Sequence, residues 1–301
     1  MTTSLKRRSL IAATTALFLS SGRMSWATER LSAMSARKQL EAIEKDLGGR
    51  LGVFALDTAT GGQLAYRADE RFAFCSTFKL IAASAILAKS VQMPGLLQQR
   101  IAYTKKDLVT YSPITEKHVD AGMTIAELCA AALQYSDNTA ANLLIANLGG
   151  TDALTAFARS IGDDVFRLDR WETELNSAIP GDLRDTTTPQ AMGNSLNRLA
   201  LGDALQPAQR AQLCDWLLGN TTGATRIKAG IPSDWKIGDK TGTGDYGTAN
   251  DVGVVWPVGR APVIVAIYTT RNAKNAEPRS DTIAAASRVV VDWLADDSPR
   301  F

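Results

Sequence analysis

Strand-like patterns lie near both ends of this 301-residue chain, and a long helical region separates them. Residues 50–57 and 63–66 are short strand-like runs on either side of the turn residues 58–62, which predicts a β-hairpin. Residues 251–257 and 262–270 carry Val, Ile and Tyr and predict two further strands. Strands that are joined by hairpins and kept apart from the helices favour an antiparallel sheet over a doubly wound parallel one.

The middle of the chain is helical in pattern. Residues 76–90, 125–134 and 138–148 are rich in Ala, Leu and Ile, and a last helix is predicted at about 281–294. The predicted fold is therefore of the α/β class, in its α+β form: an antiparallel sheet built from both chain ends with flanking helices, and an inserted all-helical domain. The predicted domains are a discontinuous sheet domain, 28–70 and 218–301, and a helical domain, 71–217, which includes the 170–185 loop.

The first 27 residues have the layout of an export signal. Lys6-Arg7-Arg8 is followed by an apolar run over 10–19 and by the small-x-small ending Ser25-Trp26-Ala27. The apolar run is too short for a membrane anchor, which needs about 20 residues. The pattern predicts a periplasmic protein with no membrane association after cleavage, and the paired arginines allow either the general or the twin-arginine route.

Composition argues against several functions. Lys and Arg number 33 against 31 Asp and Glu, too even a balance for a nucleic-acid-binding surface. One His and three scattered Cys argue against a metal site, and we expect mainly buried free thiols. His118 lies in a polar run and is better interpreted as a surface residue than as a catalytic one. The glycines at 242, 244 and 247 precede a strand, whereas a dinucleotide fingerprint opens a helix, so we expect no cofactor.

The segment Ser76-Thr77-Phe78-Lys79 opens the first predicted helix. Residues three apart share one face of a helix, so a neutral Lys79 could take a proton from Ser76. A helix N-terminus also favours a developing negative charge. The same Ser-x-x-Lys pattern occurs at 35–38 and 233–236, and alone it equally fits an ordinary helix cap.

Three more segments carry polar groups that suit catalysis. Ser136-Asp137-Asn138 could supply a hydroxyl and an amide, although alone it also fits a turn or helix cap. Lys240-Thr241-Gly242 precedes a strand and could offer a cation and a hydroxyl to a carboxylate, or be a chance triplet. Residues 170–176 contain Glu172 and Asn176, which could hold and deprotonate a water, or form a solvated acidic loop.

The joint order of these four motifs resembles the class A serine β-lactamases, and the similarity extends over essentially the whole mature chain. Among them it resembles the chromosomal penicillinases of Burkholderia-type bacteria. The resemblance implies hydrolysis of the β-lactam ring of penicillins and cephalosporins through a serine acyl-enzyme, and hence antibiotic resistance. It implies a small-molecule substrate and no cofactor. The sequence carries no signal for the oligomeric state, and a monomer is the default expectation.

The resemblance also implies catalytic roles. Ser76 would be the nucleophile, and the backbone N–H groups of Ser76 and Thr243 would form the oxyanion hole. Lys79 and Glu172, the latter through a water, are alternative acylation bases. Glu172 would act in deacylation with Asn176. Ser136 would pass a proton to the departing lactam nitrogen.

Substrate-binding roles follow from the same resemblance. Tyr111 would form an aromatic wall at the pocket mouth, and Asn138 would contact the substrate side-chain amide. The substrate carboxylate would be received on one strand by Lys240, Thr241, Gly242 and Thr243.

The sequence departs from the common family pattern at two positions that affect specificity. Ala249 stands where many members have a basic residue, so Arg226 is the candidate for the second positive charge. Some carbapenem-hydrolysing members have a disulfide between a Cys at the position of Cys75 and a Cys at the position of Gly244. Gly244 cannot form that disulfide here, so the sequence leaves open whether carbapenems are substrates. The resemblance also implies that Arg170 and Asp185 pin the loop that carries Glu172.

Two other functions share part of this motif set. A D,D-peptidase of the penicillin-binding class would share the serine, lysine and Lys-Thr-Gly elements, but the Glu172 to Asn176 segment argues against it. A β-lactam sensor that is acylated once would normally keep a membrane connection, and no segment after residue 27 has the length to span one.

Overall fold

The computed structural model describes residues 34–296, and the predicted export signal at 1–27 lies outside them. The strands in chain order are β1 (Gly49–Asp57), β2 (Gln63–Tyr66), β3 (Phe72–Ala73), β4 (Arg100–Ile101), β5 (Met123–Thr124), β6 (Thr186–Thr187), β7 (Lys236–Gly244), β8 (Thr248–Trp256) and β9 (Val263–Arg271). The helices are α1 (34–47), α2 (Lys79–Gln92), α3 (Ile125–Gln134), α4 (Asn138–Leu148), α5 (Thr151–Ser160), α6 (Pro189–Ala200), α7 (Pro207–Leu218), α8 (Ile227–Gly230) and α9 (Ser280–Asp296). None of these described helices is both long and apolar enough to cross a membrane.

The main sheet has five strands in the order β2-β1-β9-β8-β7, and every neighbouring pair is antiparallel. Strand β1 pairs with β9 through the register Phe54↔Ala266, which joins the two ends of the chain. The predicted hairpin is confirmed, with Leu56 opposite Gln63. The predicted fold class is therefore confirmed. Strand β7 lies at one edge of this sheet and pairs only with β8.

Helices cover both faces of this sheet. Helices α1 and α9 bury Leu40, Leu47 and Trp293 against one face, in a cluster that includes Ile267 of β9. Helix α6 packs on β1, β8 and β9 at the other face. Thr188 caps α6 by accepting from the N–H of Ala191, and Pro189 occupies its first turn, where the missing N–H costs nothing.

Helix α2 is the centre of the helical layer and contacts α3, α4, α5 and α7. Residues 79–87 are all buried, as expected for a helix that other helices surround. The predicted helix over 76–90 differs at its start, where Cys75–Phe78 form a 3₁₀ turn before α2 begins.

The domain boundaries at residues 70 and 218 stay a prediction.

Candidate active site

The turn that carries Ser76 lies directly against the edge strand β7. A side chain at Gly242 could not fit, because its Cβ would lie 2.7 Å from the carbonyl oxygen of Phe74. The amide of Asn250 on β8 donates to the carbonyl oxygens of Ala73 (2.9 Å) and Phe74 (3.1 Å). The backbone before Ser76 is thus held to the sheet from two neighbouring strands.

Lys79 is the most highly connected group of the site. Its Nζ lies 2.9 Å from Ser76 Oγ and 2.9 Å from Glu172 Oε1. It also donates to the carbonyl oxygen of Ser136 at 2.8 Å and to Asn138 Oδ1 at 2.6 Å. Complete burial lowers the pKa of Lys79, and the negative charge of Glu172 opposes that shift.

Ser136 lies between two lysines in the connection from α3 to α4. Its Oγ accepts from Lys240 Nζ at 3.0 Å and lies 3.5 Å from Lys79 Nζ. Burial lowers the pKa of Lys240 well below its ordinary value, and the nearby charge of Lys79 lowers it further. Ser136 has a φ of 57°, a left-handed conformation that is uncommon for a residue with a side chain.

Asp137 explains how this connection is held. Its carboxylate caps α4 by accepting from the N–H of Ala140 at 2.8 Å, and it accepts from the N–H groups of Ile114 (3.0 Å) and Thr115 (2.9 Å). The middle residue of the Ser-Asp-Asn motif therefore anchors the backbone. The two outer residues face Lys79.

Glu172 is presented by the 170–185 loop and is buried. Asn176 Nδ2 donates to its Oε2 at 2.5 Å, and its Oε1 lies 3.2 Å from Ser76 Oγ. Asn142 holds its backbone from both sides, accepting from the N–H at 3.0 Å and donating to the carbonyl oxygen at 2.9 Å. Arg170 Nε meets Asp185 Oδ2 at 2.5 Å within the same loop.

A second group of polar residues lies along β7. The guanidinium of Arg226 donates to Thr243 Oγ1 at 2.6 Å and to the carbonyl oxygens of Gly242 (2.8 Å) and Asn250 (2.6 Å). Thr241 Oγ1 lies 2.5 Å from Thr222 Oγ1. Burial lowers the pKa of Arg226, and the negative charge of Asp251 opposes that shift.

Most of the residues predicted from the sequence meet in this cleft. A single hydrogen-bonded cluster joins Ser76, Lys79, Ser136, Asn138, Glu172, Asn176 and Lys240. Thr241, Gly242, Thr243 and Arg226 form the second group. Tyr111 is 58% exposed and joins the site through its backbone oxygen, which accepts from the N–H of Asn138 at 3.0 Å.

Other sequence features lie elsewhere. The serines of the two alternative Ser-x-x-Lys segments, Ser35 and Ser233, are exposed, and so is His118. Cys75 and Cys129 are buried free thiols, and Cys214 is half-buried. Asn142 and Asn250 also hold the site, and the sequence did not predict them, because a lone Asn outside a motif carries no local signal that it hydrogen-bonds a distant backbone segment.

A buried Ser-Lys-Glu cluster between a helical layer and the edge of an antiparallel sheet defines the class: a serine hydrolase of the penicillin-recognising fold. The model of the Beta-lactamase enzyme family matches residues 35–294. The chain therefore belongs to this family, and its relatives identify it as a class A serine β-lactamase.

Relatives match over most of their length. Beta-lactamase Toho-1 of Escherichia coli is 56% identical over 96% of this chain and 98% of that protein. Beta-lactamase CTX-M-8 of Citrobacter amalonaticus is 58% identical over 86% of this chain and 89% of that protein. The crystal structure of a β-lactamase from Desulfarculus baarsii DSM 2075 superposes with a TM-score of 0.86 at 63% identity, covering 87% of this chain and 98% of that one.

Proposed function

We propose that the enzyme hydrolyses penicillins and cephalosporins through an acyl-enzyme on Ser76 and so gives resistance to them. One observation carries the proposal: Ser76 Oγ lies within hydrogen-bond reach of both Lys79 Nζ, at 2.9 Å, and Glu172 Oε1, at 3.2 Å. A serine hydroxyl needs such a base to become a nucleophile.

Acylation begins when Ser76 Oγ attacks the lactam carbonyl and loses its proton. Burial lowers the pKa of Lys79, which favours the neutral amine that can accept this proton. Glu172 is the alternative base and would act through a water. The backbone N–H groups of Ser76 and Thr243 stabilise the oxyanion, helped by the N-terminal end of α2.

Ser136 completes ring opening by giving a proton to the lactam nitrogen. Its hydroxyl accepts from Lys240 Nζ at 3.0 Å and lies 3.5 Å from Lys79 Nζ, so a proton taken by Lys79 has a short route to it. The hydrogen bond from Lys240 also fixes the direction of this hydroxyl.

Deacylation needs a water and a base. Glu172 is held by Asn176 Nδ2 and by Asn142, which fixes the direction of its carboxylate. The amide oxygen of Asn176 has no partner among residues 34–296, so it can accept a hydrogen bond from that water. Glu172 removes the water's other proton as the water attacks the ester carbon. The bond from that carbon to Ser76 Oγ then breaks, and Oγ takes a proton back from Glu172 or Lys79, which lie 3.2 Å and 2.9 Å away.

The β7 end of the cleft receives the substrate carboxylate. Lys240, Thr241 and Thr243 offer a cation and two hydroxyls, and Arg226 donates to Thr243 Oγ1 at 2.6 Å. Arg226 thereby supplies the second positive charge. Asn138 and Tyr111 contact the substrate side chain at the opposite end.

The enzyme acts in the periplasm as a monomer. The charged, apolar and small-x-small layout of residues 1–27 supports export by the general or the twin-arginine route.

The test is a time course of intact protein mass and free substrate after mixing the mature enzyme with benzylpenicillin. Rapid substrate loss with return to the unmodified mass is expected. A persistent adduct of one penicillin per chain would instead support the sensor or peptidase alternatives. Ser76→Ala should form no adduct, whereas Ser233→Ala, in an exposed copy of the same motif, should behave as wild type.

A further inference from the structure

Two buried aspartates lie on the β7–β8 ribbon, next to the carboxylate-binding end of the cleft. Asp251 is opposite Thr241, and Asp239 is opposite Gly253, so the two acids are diagonal neighbours on one face of the ribbon. Gly253 leaves room for this arrangement, because a Cβ there would lie only 3.0 Å from Asp239 Cβ.

Burial of the two acids disfavours a negative charge on both at once. Asp239 is 4% exposed and Asp251 is 0% exposed. Their side chains are diagonal neighbours on the ribbon, and Asp251 Oδ1 has no hydrogen-bond partner among residues 34–296. A proton on one of the two carboxyls would supply the missing donor. Burial raises the pKa of both, and the neighbouring Asp239 raises that of Asp251 further, although Lys240, Lys228 and Arg226 favour the charged forms.

Asp251 is connected to Arg226 through one backbone bond. Its Oδ2 accepts from the N–H of Ile227 at 3.0 Å. Ile227 directly follows Arg226, whose guanidinium donates to Gly242 O and Thr243 Oγ1. Asp251 therefore fixes the point of the backbone from which Arg226 reaches β7.

Asp239 is connected to Thr241 through two side chains. Its Oδ2 accepts from Asn220 Nδ2 at 2.8 Å, which turns the amide oxygen of Asn220 toward Thr222. That oxygen accepts from the N–H of Thr222 at 3.0 Å and from its hydroxyl at 2.8 Å. The Thr222 hydroxyl gives its one proton to Asn220, so it accepts from the hydroxyl of Thr241 at 2.5 Å. This bond sets the position of the Thr241 side chain on β7.

We propose that Asp239 and Asp251 share one proton and act as positioning residues for the substrate carboxylate, Asp251 by holding Arg226 and Asp239 by orienting Thr241. This inference rests on the proposed function, since it assumes that the β7 end of the cleft binds that carboxylate.

The test compares KM for benzylpenicillin with KM for its methyl ester. Asp251→Ala should raise KM for the acid about tenfold, which corresponds to about 1.4 kcal/mol, because Ile227 loses a buried hydrogen bond and Arg226 is no longer held. It should leave kcat and the KM for the ester nearly unchanged. Asp251→Asn should restore KM, because its amide can donate to Asp239 and accept from Ile227. A matched control is Asp163→Ala, which removes a buried acid that caps Val165 and Phe166, and should lower Tm without changing the acid-to-ester ratio.

A pair of amide variants keeps the test usable if Asp251→Ala does not fold. Asp239→Asn and Asp251→Asn should each retain the acid-to-ester ratio, whereas the double variant should lose it. With two amides and no carboxylate, one N–H must face another N–H within the network.

The outcomes separate the two proposals. Equal KM values for acid and ester in the wild type would overturn the proposed carboxylate contact. The alternative is a wild type that binds the acid more tightly than the ester. If Asp251→Ala or the double variant then keeps the wild-type ratio of the two KM values, the role of the two aspartates is overturned and the proposed function stands. A ¹³C spectrum in which every Asp carboxyl is ionised at neutral pH would overturn the shared proton.

Discussion

Lys79 Nζ and Glu172 Oε1 lie 2.9 Å apart, and both side chains are completely buried. An isolated charge at this depth would be strongly unfavourable, and each residue compensates the other. Both groups lie within hydrogen-bond reach of Ser76 Oγ, so the buried ion pair and the Ser76 hydroxyl form one hydrogen-bonded unit. The negative charge of Glu172 therefore raises the pKa of Lys79, against the lowering effect of burial.

Replacing Glu172 should separate acylation from deacylation. Glu172→Ala should still form an acyl-enzyme with benzylpenicillin but release it about 10² to 10⁴ times more slowly, because the attacking water loses its base. Intact mass spectrometry during turnover measures the fraction of enzyme that is acylated. The control is Glu174→Ala, an exposed acid two residues along the same loop, which should turn over normally. Undiminished turnover in Glu172→Ala would remove Glu172 from the mechanism.

Arg226 should control affinity for the substrate carboxylate. Arg226→Gln should raise KM for penicillins by about 10- to 100-fold with a smaller effect on kcat, because charge-assisted hydrogen bonds contribute about 1.5–3 kcal/mol. Steady-state kinetics measure KM and kcat separately for each variant. Arg288→Gln removes the same charge from an exposed position on α9 and should leave KM unchanged. If both variants raise KM equally, only net charge matters and the assignment of Arg226 is wrong.

The buried acid Asp185 should determine whether the 170–185 loop keeps its shape. Asp185 is completely buried and accepts from the N–H groups of Asp169 and Arg170 as well as from Arg170 Nε. Asp185→Ala should cost about 3–5 kcal/mol of unfolding free energy, since it leaves Arg170 without its main partner.

Urea denaturation measures this loss, and Asp182→Ala is its control. Asp182 lies 3.8 Å from Arg170 and pairs mainly with the exposed Arg184, so its removal should cost less than about 1 kcal/mol. Similar costs for the two variants would show that Asp185 does not anchor the loop.

The three thiols should differ in reactivity. Burial raises the pKa of Cys75 and Cys129, so almost no thiolate forms there near neutral pH, and Cys214 is the only one of the three that is partly exposed. Iodoacetamide should modify Cys214 first, and the other two should react only after unfolding in urea. Peptide mass mapping identifies the modified residue. Fast alkylation of Cys75 in the native enzyme would contradict its burial.

Local pattern was sufficient for several elements of the fold. The hairpin at 50–66 has glycines at its turn, and α3 and α4 are apolar runs bounded by the caps Thr124 and Asp137. Helices α1, α5, α6 and α7 were not predicted individually. Helix α6, for example, mixes Gln, Asn and Arg with Leu and Met, and only packing against the sheet makes it a core element.

The sequence by itself determined which chemical groups are present and the order in which the chain supplies them. Four short motifs in family order were enough to indicate Ser76, Lys79, Glu172 and Lys240, because their spacing is a property of the chain. The tertiary structure alone decided their burial and their hydrogen-bond partners. Lys79 and Glu172 are 93 positions apart, and only folding brings them into contact, removes water from both and so shifts the pKa of Lys79. Desolvation and proximity are properties of the assembled fold, and no local pattern contains them.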